Sequence, residues 1–170
     1  EPHDVLFQMM QYSDIIFGDQ NEWEVASGVP HIPFEALDEN YEIDKEAYLA
    51  YFRKMHHLFP KCKKMVMAVR NQIASSHHTL SGLLYDAVED QLYTTKIYDI
   101  EPIVDPMGVG DAFVAAYIHA HQKWSDKNQY CLDFSLSASA IKNTIPGDQN
   151  LVSEEEIISN MTSSGGRILR

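Results

Sequence analysis

The chain has 170 residues, 45% of them hydrophobic, which is enough for one domain with its own core. Its 13 Lys and Arg against 25 Asp and Glu give a net charge of -12, and such an acidic surface repels phosphate backbones, so we expect no nucleic-acid partner. No apolar stretch is long enough to span a bilayer, and Cys62 and Cys131 lack metal-ligand spacing, so we expect a cytoplasmic protein with no membrane partner and two buried thiols.

The first half of the chain alternates between helical and strand patterns. Helices are predicted over 5–12 and 21–27, and a buried strand over 14–18. Asp44 is placed to cap a third helix. Six apolar residues would share one face of that helix: Tyr48, Tyr51, Phe52, Met55, Leu58 and Phe59. The apolar run 65–69 is typical of a strand that is buried on both faces.

The second half continues the alternation. Strands are predicted over 83–85 and 92–97, and helices over 110–124, 130–144 and 153–161. Ser153 and Glu156 have the spacing of a capping box, which favours the start of the last helix. Strands that alternate with helices predict an α/β fold with a parallel sheet.

The segment 105–116, with the sequence DPMGVGDAFVAA, is the most informative part of the chain. Gly108 and Gly110 flank Val109 directly before an amphipathic helix, so the backbone can turn sharply and present N–H groups to a ligand. The helix N-terminus adds unpaired N–H groups and a partial positive charge, which together predict an anion hole for a transferring phosphoryl group. Asp111 lies in the first turn, where that field favours the ionised form that a general base needs. By itself, the tetrapeptide is also compatible with an ordinary turn and helix cap.

The whole segment resembles the C-terminal signature of the ribokinase-like PfkB carbohydrate kinases, Asp-Thr-Thr-Gly-Ala-Gly-Asp followed by a helix of small residues. The resemblance implies that Asp111 deprotonates the acceptor hydroxyl and that the backbone of 108–110 forms the anion hole. It also implies that Asp105 lies near the nucleotide phosphates or a monovalent cation.

The chain departs from this signature at three positions, since Pro106 and Met107 replace threonines and Val109 replaces an alanine. Val109 would contribute only its backbone, so we expect the anion hole to be retained. The glycine-rich nucleotide loop that usually follows the strand 65–69 is also missing. Arg70 is our candidate there for the ATP phosphates, because Arg suits that geometry. An exposed Arg at a strand end is the alternative.

Two further motifs follow the order of the family. Asp19 and Glu22 resemble its Asn-x-x-Glu motif, which implies that they hold Mg²⁺, mainly through water. A solvated, acidic helix start is the alternative. The turn 147–149, with the sequence GDQ, is similar to that of 2-keto-3-deoxygluconate kinases, which implies that Asp148 contacts the sugar acid. Here the alternative is a polar loop after a helix.

These motifs together resemble the C-terminal half of a PfkB kinase, with a doubly wound, mainly parallel sheet flanked by helices. Residues 1–170 would be its nucleotide-binding and catalytic part, without the N-terminal half and the lid. The resemblance implies ATP-dependent phosphorylation of a sugar or sugar-acid hydroxyl, with 2-keto-3-deoxygluconate as the first candidate and with ATP, Mg²⁺ and a monovalent cation as cofactors.

As partners we expect the sugar acid and ATP, a homo-oligomer, and the missing N-terminal half of the fold. Two alternatives stay open: a kinase of the fructokinase or ribokinase type, and a nucleotide-binding module without kinase activity. A dinucleotide-binding dehydrogenase fits less well, because the third glycine of its fingerprint is absent.

Overall fold

The computed structural model of the chain describes residues 2–32, 42–163 and 167–168. The helices are α1 (Pro2–Met10), α2 (Gln20–Ser27), α3 (Lys45–Leu58), α4 (Val109–Lys123), α5 (Asn128–Lys142) and α6 (Glu154–Thr162). The strands are β1 (Ile15–Gly18), β2 (Lys64–Ala74), β3 (His77–Asp86), β4 (Gln91–Thr94), β5 (Tyr98–Ile100) and β6 (Arg167–Ile168). Every helix and strand predicted above has a counterpart among these elements.

Side-chain caps determine where three of these helices begin. Asp19, Asp44 and Ser153 each accept a hydrogen bond from a backbone N–H in the first turn of α2, α3 and α6. In α2 and α6, the carboxylates of Glu22 and Glu156 accept a hydrogen bond from the N–H of the cap residue and complete a capping box. The caps predicted at Asp44 and Ser153 are therefore confirmed.

The described strands form one sheet in the order β1-β2-β3-β5-β6, with β4 also paired to β3. The pairs β1–β2 and β5–β6 are parallel, whereas β3 is antiparallel to β2, β4 and β5. The α/β class is thus confirmed, but the sheet is mixed where a mainly parallel one was expected. The reason is the long β2–β3 hairpin, whose outer half comprises residues 70–79; these residues are mostly polar, and they contain no apolar run that would indicate strands.

Two apolar cores cover the two faces of the sheet. Side chains of β2 alternate between them, as the pleat requires. Met65 and Met67 pack with the aromatic face of α3, and Val66 packs with α4 and α5. The predicted inner face of α3 is confirmed, with Leu58 only partly buried. Both cysteines are buried free thiols, as expected.

The architecture brings the carboxyl end of β1 and the start of α2 close to the N-terminus of α4. Within the described ranges, no helix combines the length and the apolar character that crossing a membrane requires.

Candidate functional site

A cavity of about 530 Å³ lies between the end of β1, the middle of β2 and the first turns of α4. Six of the nine residues predicted to be functional line it: Asp19, Glu22, Arg70, Val109, Gly110 and Asp111. They come from three segments that are far apart in sequence. The fold therefore brings the predicted metal-binding, phosphate-binding and catalytic residues to one place.

The loop before α4 needs a glycine at position 108. Gly108 is the N-cap of α4 and has a left-handed backbone, with φ 74° and ψ 5°. A Cβ there would lie only 2.1 Å from the carbonyl oxygen of Asp148. Because glycine has no side chain, nothing on the cap residue bonds to the N–H groups of the first turn. Those N–H groups remain available to an anion in the cavity.

Asp105 ties this loop to the turn after α5. Its two carboxylate oxygens accept hydrogen bonds from the N–H of Met107 at 3.0 Å and of Gly147 at 2.8 Å. These bonds, the Met107 bond first, lower the pKa of Asp105 below its ordinary value. The N–H groups of Val104 and Asp105 in turn donate to the carbonyl of Asn143, at 2.8 and 3.2 Å. Asp105 thus has a structural task in the described fold, and it does not line the cavity.

Asp148 lies in the turn after α5, directly against the loop that precedes α4. Its backbone packs against Gly108, and its side chain is exposed. It does not line the cavity itself, so the candidate substrate residue is adjacent to the anion loop rather than among the groups gathered around the cavity.

Asp19 and Glu22 keep part of their carboxylates available although they cap α2. Oδ1 of Asp19 accepts the N–H groups of Asn21 and Glu22, both at 2.8 Å, and Oε2 of Glu22 accepts the N–H of Asp19 at 2.9 Å. Each carboxylate therefore retains an oxygen outside the capping box, and both side chains are exposed. Among the described residues, no three His, Cys, Asp or Glu side chains converge on a metal position. The pair fits a cation that keeps most of its waters, as Mg²⁺ does.

Arg70 is the only basic residue among the described residues that line the cavity. It lies within β2, opposite Leu80 of β3, and its side chain is exposed. The segment 70–79, which lacks the glycines of the nucleotide loop that it would replace, is strand and hairpin tip. Arg70 is thus held by a rigid ladder at the rim of the cavity, where a guanidinium can bind phosphate oxygens.

Two serines of α5, which were not predicted as site residues, hold α4 in position. Ser139 lines the cavity and donates to the carbonyl of Val109 at 3.1 Å, and Ser135 donates to the carbonyl of Phe113 at 2.5 Å. The two serines are four residues apart and therefore share one helix face. That spacing within an Ala- and Ser-rich helix is the signal from which they could have been identified.

No protein-family model matches the chain, and no curated protein matches it in sequence. Solved structures do match. One is 2-dehydro-3-deoxygluconokinase from Thermotoga maritima, with a TM-score of 0.80, 26% identity, and 95% of this chain and 45% of that chain covered. Another is a PfkB family carbohydrate kinase from Listeria grayi, with a TM-score of 0.76, 25% identity and the same coverage of 95% and 45%.

A more distant match supports the fold alone. Ribokinase from Thermotoga maritima aligns with a TM-score of 0.55 and 17% identity, over 92% of this chain and 45% of that chain. The structural neighbours are thus PfkB-family carbohydrate kinases, and the fold is ribokinase-like, as the signature predicted. The chain spans less than half the length of these proteins, which agrees with its resemblance to a C-terminal half.

Proposed function

We propose that this chain is the nucleotide-binding and catalytic part of a PfkB-type kinase that transfers the γ-phosphoryl group of ATP to a hydroxyl of a sugar or sugar acid. The observation that carries the proposal is the gathering of the α4 N-terminus, Asp111 and Arg70 around one cavity, with Asp19 and Glu22 at its edge. An anion hole, a base, a phosphate-binding cation and a pair of metal-binding carboxylates are the parts that phosphoryl transfer requires.

The base in this proposal is Asp111. Its carboxylate is exposed in the first turn of α4 and lines the cavity beside Gly110. The acceptor hydroxyl oxygen attacks the γ-phosphorus, its proton passes to Asp111, and ADP leaves with the electron pair of the broken P–O bond. Most of the rate enhancement then comes from position and electrostatics.

In the proposed site, the negative charge on the transferring phosphoryl group is stabilised from two sides. The backbone N–H groups of 108–110, at the start of α4, would face the anion, and Arg70 would approach it from β2. Mg²⁺, when bound, neutralises phosphate charge, and Asp19 and Glu22 would hold it through its waters. Asp19 and Glu22 are the N-cap and a first-turn residue of α2, so one short segment would set the position of the cation.

The acceptor that we propose is 2-keto-3-deoxygluconate. The turn around Asp148 resembles that of kinases acting on this acid, and one of the structural neighbours is a 2-dehydro-3-deoxygluconokinase. A neutral-sugar kinase is the second candidate, because the ribokinase neighbour shares the fold. A nucleotide-binding module without transfer activity is the third, because Pro106 and Met107 lack the hydroxyl groups of the family signature.

The rest of the proposal concerns the whole protein. Residues 1–170 would be completed by an N-terminal half that carries the lid and most sugar contacts, in a homo-oligomer that works in the cytoplasm, where ATP is available. The lengths of the structural neighbours support the N-terminal half alone, since these proteins are about twice as long as the chain.

The test is ADP release by the full-length gene product with Mg-ATP, using 2-keto-3-deoxygluconate, gluconate, fructose and ribose in parallel. We expect turnover to be highest with the keto-deoxy acid. Preference for fructose or ribose would retain the kinase and reject the acceptor. Binding of ATP without turnover on any of the four would favour the non-catalytic module.

A further inference from the structure

Lys142, the last residue of α5, is a charged side chain with no exposure to solvent at all, at 0%. Lysine is almost never fully buried unless its ammonium group has partners, because removing the charge from water is strongly unfavourable. Nothing in the catalytic proposal uses this residue, and it does not line the cavity. A buried ammonium therefore needs another explanation.

The ammonium group of Lys142 is bound by the turn that follows α5. Nζ of Lys142 donates to the carbonyl of Ile145 at 3.1 Å, in the turn that follows α5. Its charge also acts on Asp105 in the signature loop, where it adds to the effect of the Met107 and Gly147 N–H groups in lowering the pKa of that carboxyl. The turn after α5 is thus hydrogen-bonded both to the buried ammonium, through the carbonyl of Ile145, and to the carboxylate of Asp105, through the N–H of Gly147.

These two loops are coupled directly to the anion hole. Asn143 accepts the N–H groups of Val104 and Asp105, and Asp105 accepts the N–H of Gly147. The backbone of Asp148 then packs against Gly108, with no room for even a methyl group between them. A shift of the turn after α5 would therefore displace the backbone that presents N–H groups to the cavity.

We propose that Lys142 is a positioning residue whose buried ammonium acts as a tethered cation, ordering the turn 143–148 and Asp105 so that the anion hole needs no free monovalent cation. The catalytic consequence rests on the proposed kinase function, whereas the structural consequence does not. An ammonium group and a potassium ion carry the same charge and both bind carbonyl and carboxylate oxygens. The cation expected beside Asp105 is then part of the chain itself.

The first test needs no variant. ADP release and ADP affinity of the wild-type full-length protein are measured in potassium chloride and in choline chloride at equal ionic strength. We expect both quantities to agree within about twofold between the two salts, since the cation is covalently attached. A loss of tenfold or more in choline would mean that a free cation is required and would overturn the proposal.

The second test removes the charge with Lys142→Met, which keeps the length and the apolar stem of the side chain. In choline chloride we expect ADP affinity and turnover to fall by about tenfold or more, and potassium or ammonium chloride to restore part of the loss. Restoration by small cations is a result that a simple packing role would not produce. Equal behaviour of the variant in all salts would contradict the proposal.

Two further variants serve as controls, one for the loss of any lysine and one for the loss of the fold. Lys127→Met removes an exposed lysine next to the other end of α5 and is expected to change neither quantity in any salt. If Lys142→Met does not fold, Lys142→Arg keeps the charge, and we expect it to stay insensitive to potassium; a new potassium requirement there would count against the idea. Because ADP affinity and the thermal midpoint are measured beside turnover, an absence of kinase activity would reject the proposed function without deciding the role of Lys142.

Discussion

At the scale of residues, Asp105 and Asp111 belong to one short segment but differ in their surroundings. The carboxylate of Asp105 is occupied by the N–H groups of Met107 and Gly147 and holds two loops together. Asp111 is exposed, lines the cavity and stands in the first turn of α4. Only the second is placed to exchange a proton with a substrate, although both belong to the signature.

Replacement of Asp111 by Asn tests the proposed base. Asn keeps the size but cannot take the proton of the acceptor hydroxyl, so we expect turnover to fall by about 10²- to 10⁴-fold while ATP affinity changes little. Steady-state ADP release and equilibrium nucleotide binding would measure the two effects. Asp126→Asn, at an exposed position between α4 and α5, is the matched control. Turnover close to that of the wild type would exclude Asp111 as the base.

Gly108→Ala tests the tight approach of the anion loop. The new methyl group would combine a left-handed backbone with a contact of 2.1 Å to the carbonyl oxygen of Asp148. We expect a decrease of roughly 2–4 kcal/mol in the free energy of unfolding, measured in urea. Gly28→Ala shares the left-handed backbone, with φ 71°, but has nothing within 4 Å, so it is expected to cost only about 1 kcal/mol. Equal losses in the two variants would show that the contact is unimportant.

At the scale of elements, the helix starts depend on neighbouring residues, whereas the extent of the β2–β3 hairpin depends on pairing between two strands. The helices begin where Asp44 and Ser153 stand in the sequence, because a cap acts on N–H groups only two or three residues away. The β2–β3 hairpin continues far beyond the apolar runs 65–69 and 83–85. Its outer half is held by ladder bonds between the strands, which polar side chains do not prevent.

Asp90, in the turn between β3 and β4, links this turn to α3 and to β3. Both oxygens of Asp90 accept from the guanidinium of Arg53 on α3, at 2.8 and 2.6 Å, and one also accepts from the hydroxyl of Tyr85 at 2.8 Å. These bonds, those from Arg53 first, lower the pKa of Asp90 to about 2. Because this pKa lies below the value of about 3.9 in an unfolded chain, the stabilisation is present above pH ~4 and is lost as the pH falls towards 2.

Asp90→Asn therefore should affect thermal stability in a pH-dependent way. Asn tolerates the positive φ of this turn, so the change removes charge with little strain. We expect a small decrease of Tm at pH 7, since the pair is half exposed, and convergence with the wild type near pH 2. A calorimetric comparison at both pH values decides this, and an equal deficit at pH 7 and pH 2 would point to a cause other than ionisation.

At the scale of the whole molecule, a mixed sheet lies between two apolar cores, and the cavity lies beside its strands β1 and β2. Of the described strands, β1 is at the end of the sheet and pairs only with β2. Four large apolar side chains in α1 and in the turn between α1 and β1 are exposed: Val5, Leu6, Met9 and Tyr12. An unpaired strand edge beside apolar surface is a liability for solubility unless another segment covers it.

The proposed N-terminal half gives this surface a partner. We expect the isolated chain of 170 residues to bind a hydrophobic dye more strongly and to unfold at a lower temperature than the full-length gene product. Dye fluorescence and thermal unfolding at equal molar concentration would measure the difference. Indistinguishable values for the two proteins would mean that no further segment covers this face.

Much of the site could be predicted from the sequence because its local geometry depends on neighbours in the chain. The spacing of Gly108 and Gly110 before an amphipathic helix predicted the glycine cap and the start of α4, and with them the position of Asp111 in the first turn. The inner face of α3 followed in the same way from the period of its apolar residues. In each case the interacting groups are within about four residues of one another.

Only the tertiary structure decided which of these segments lie next to one another. Arg70 and Asp111 are far apart in sequence yet line one cavity, and residues 70–79 are strand only because β2 and β3 pair. The sequence places Lys142 at a helix C-terminus, where a basic residue is common, but nothing local indicates that its ammonium is fully buried. The sequence by itself therefore determined caps, helix faces and the anion loop, whereas packing determined the antiparallel pairing, the cavity and the burial of that charge, because those depend on contacts between distant segments.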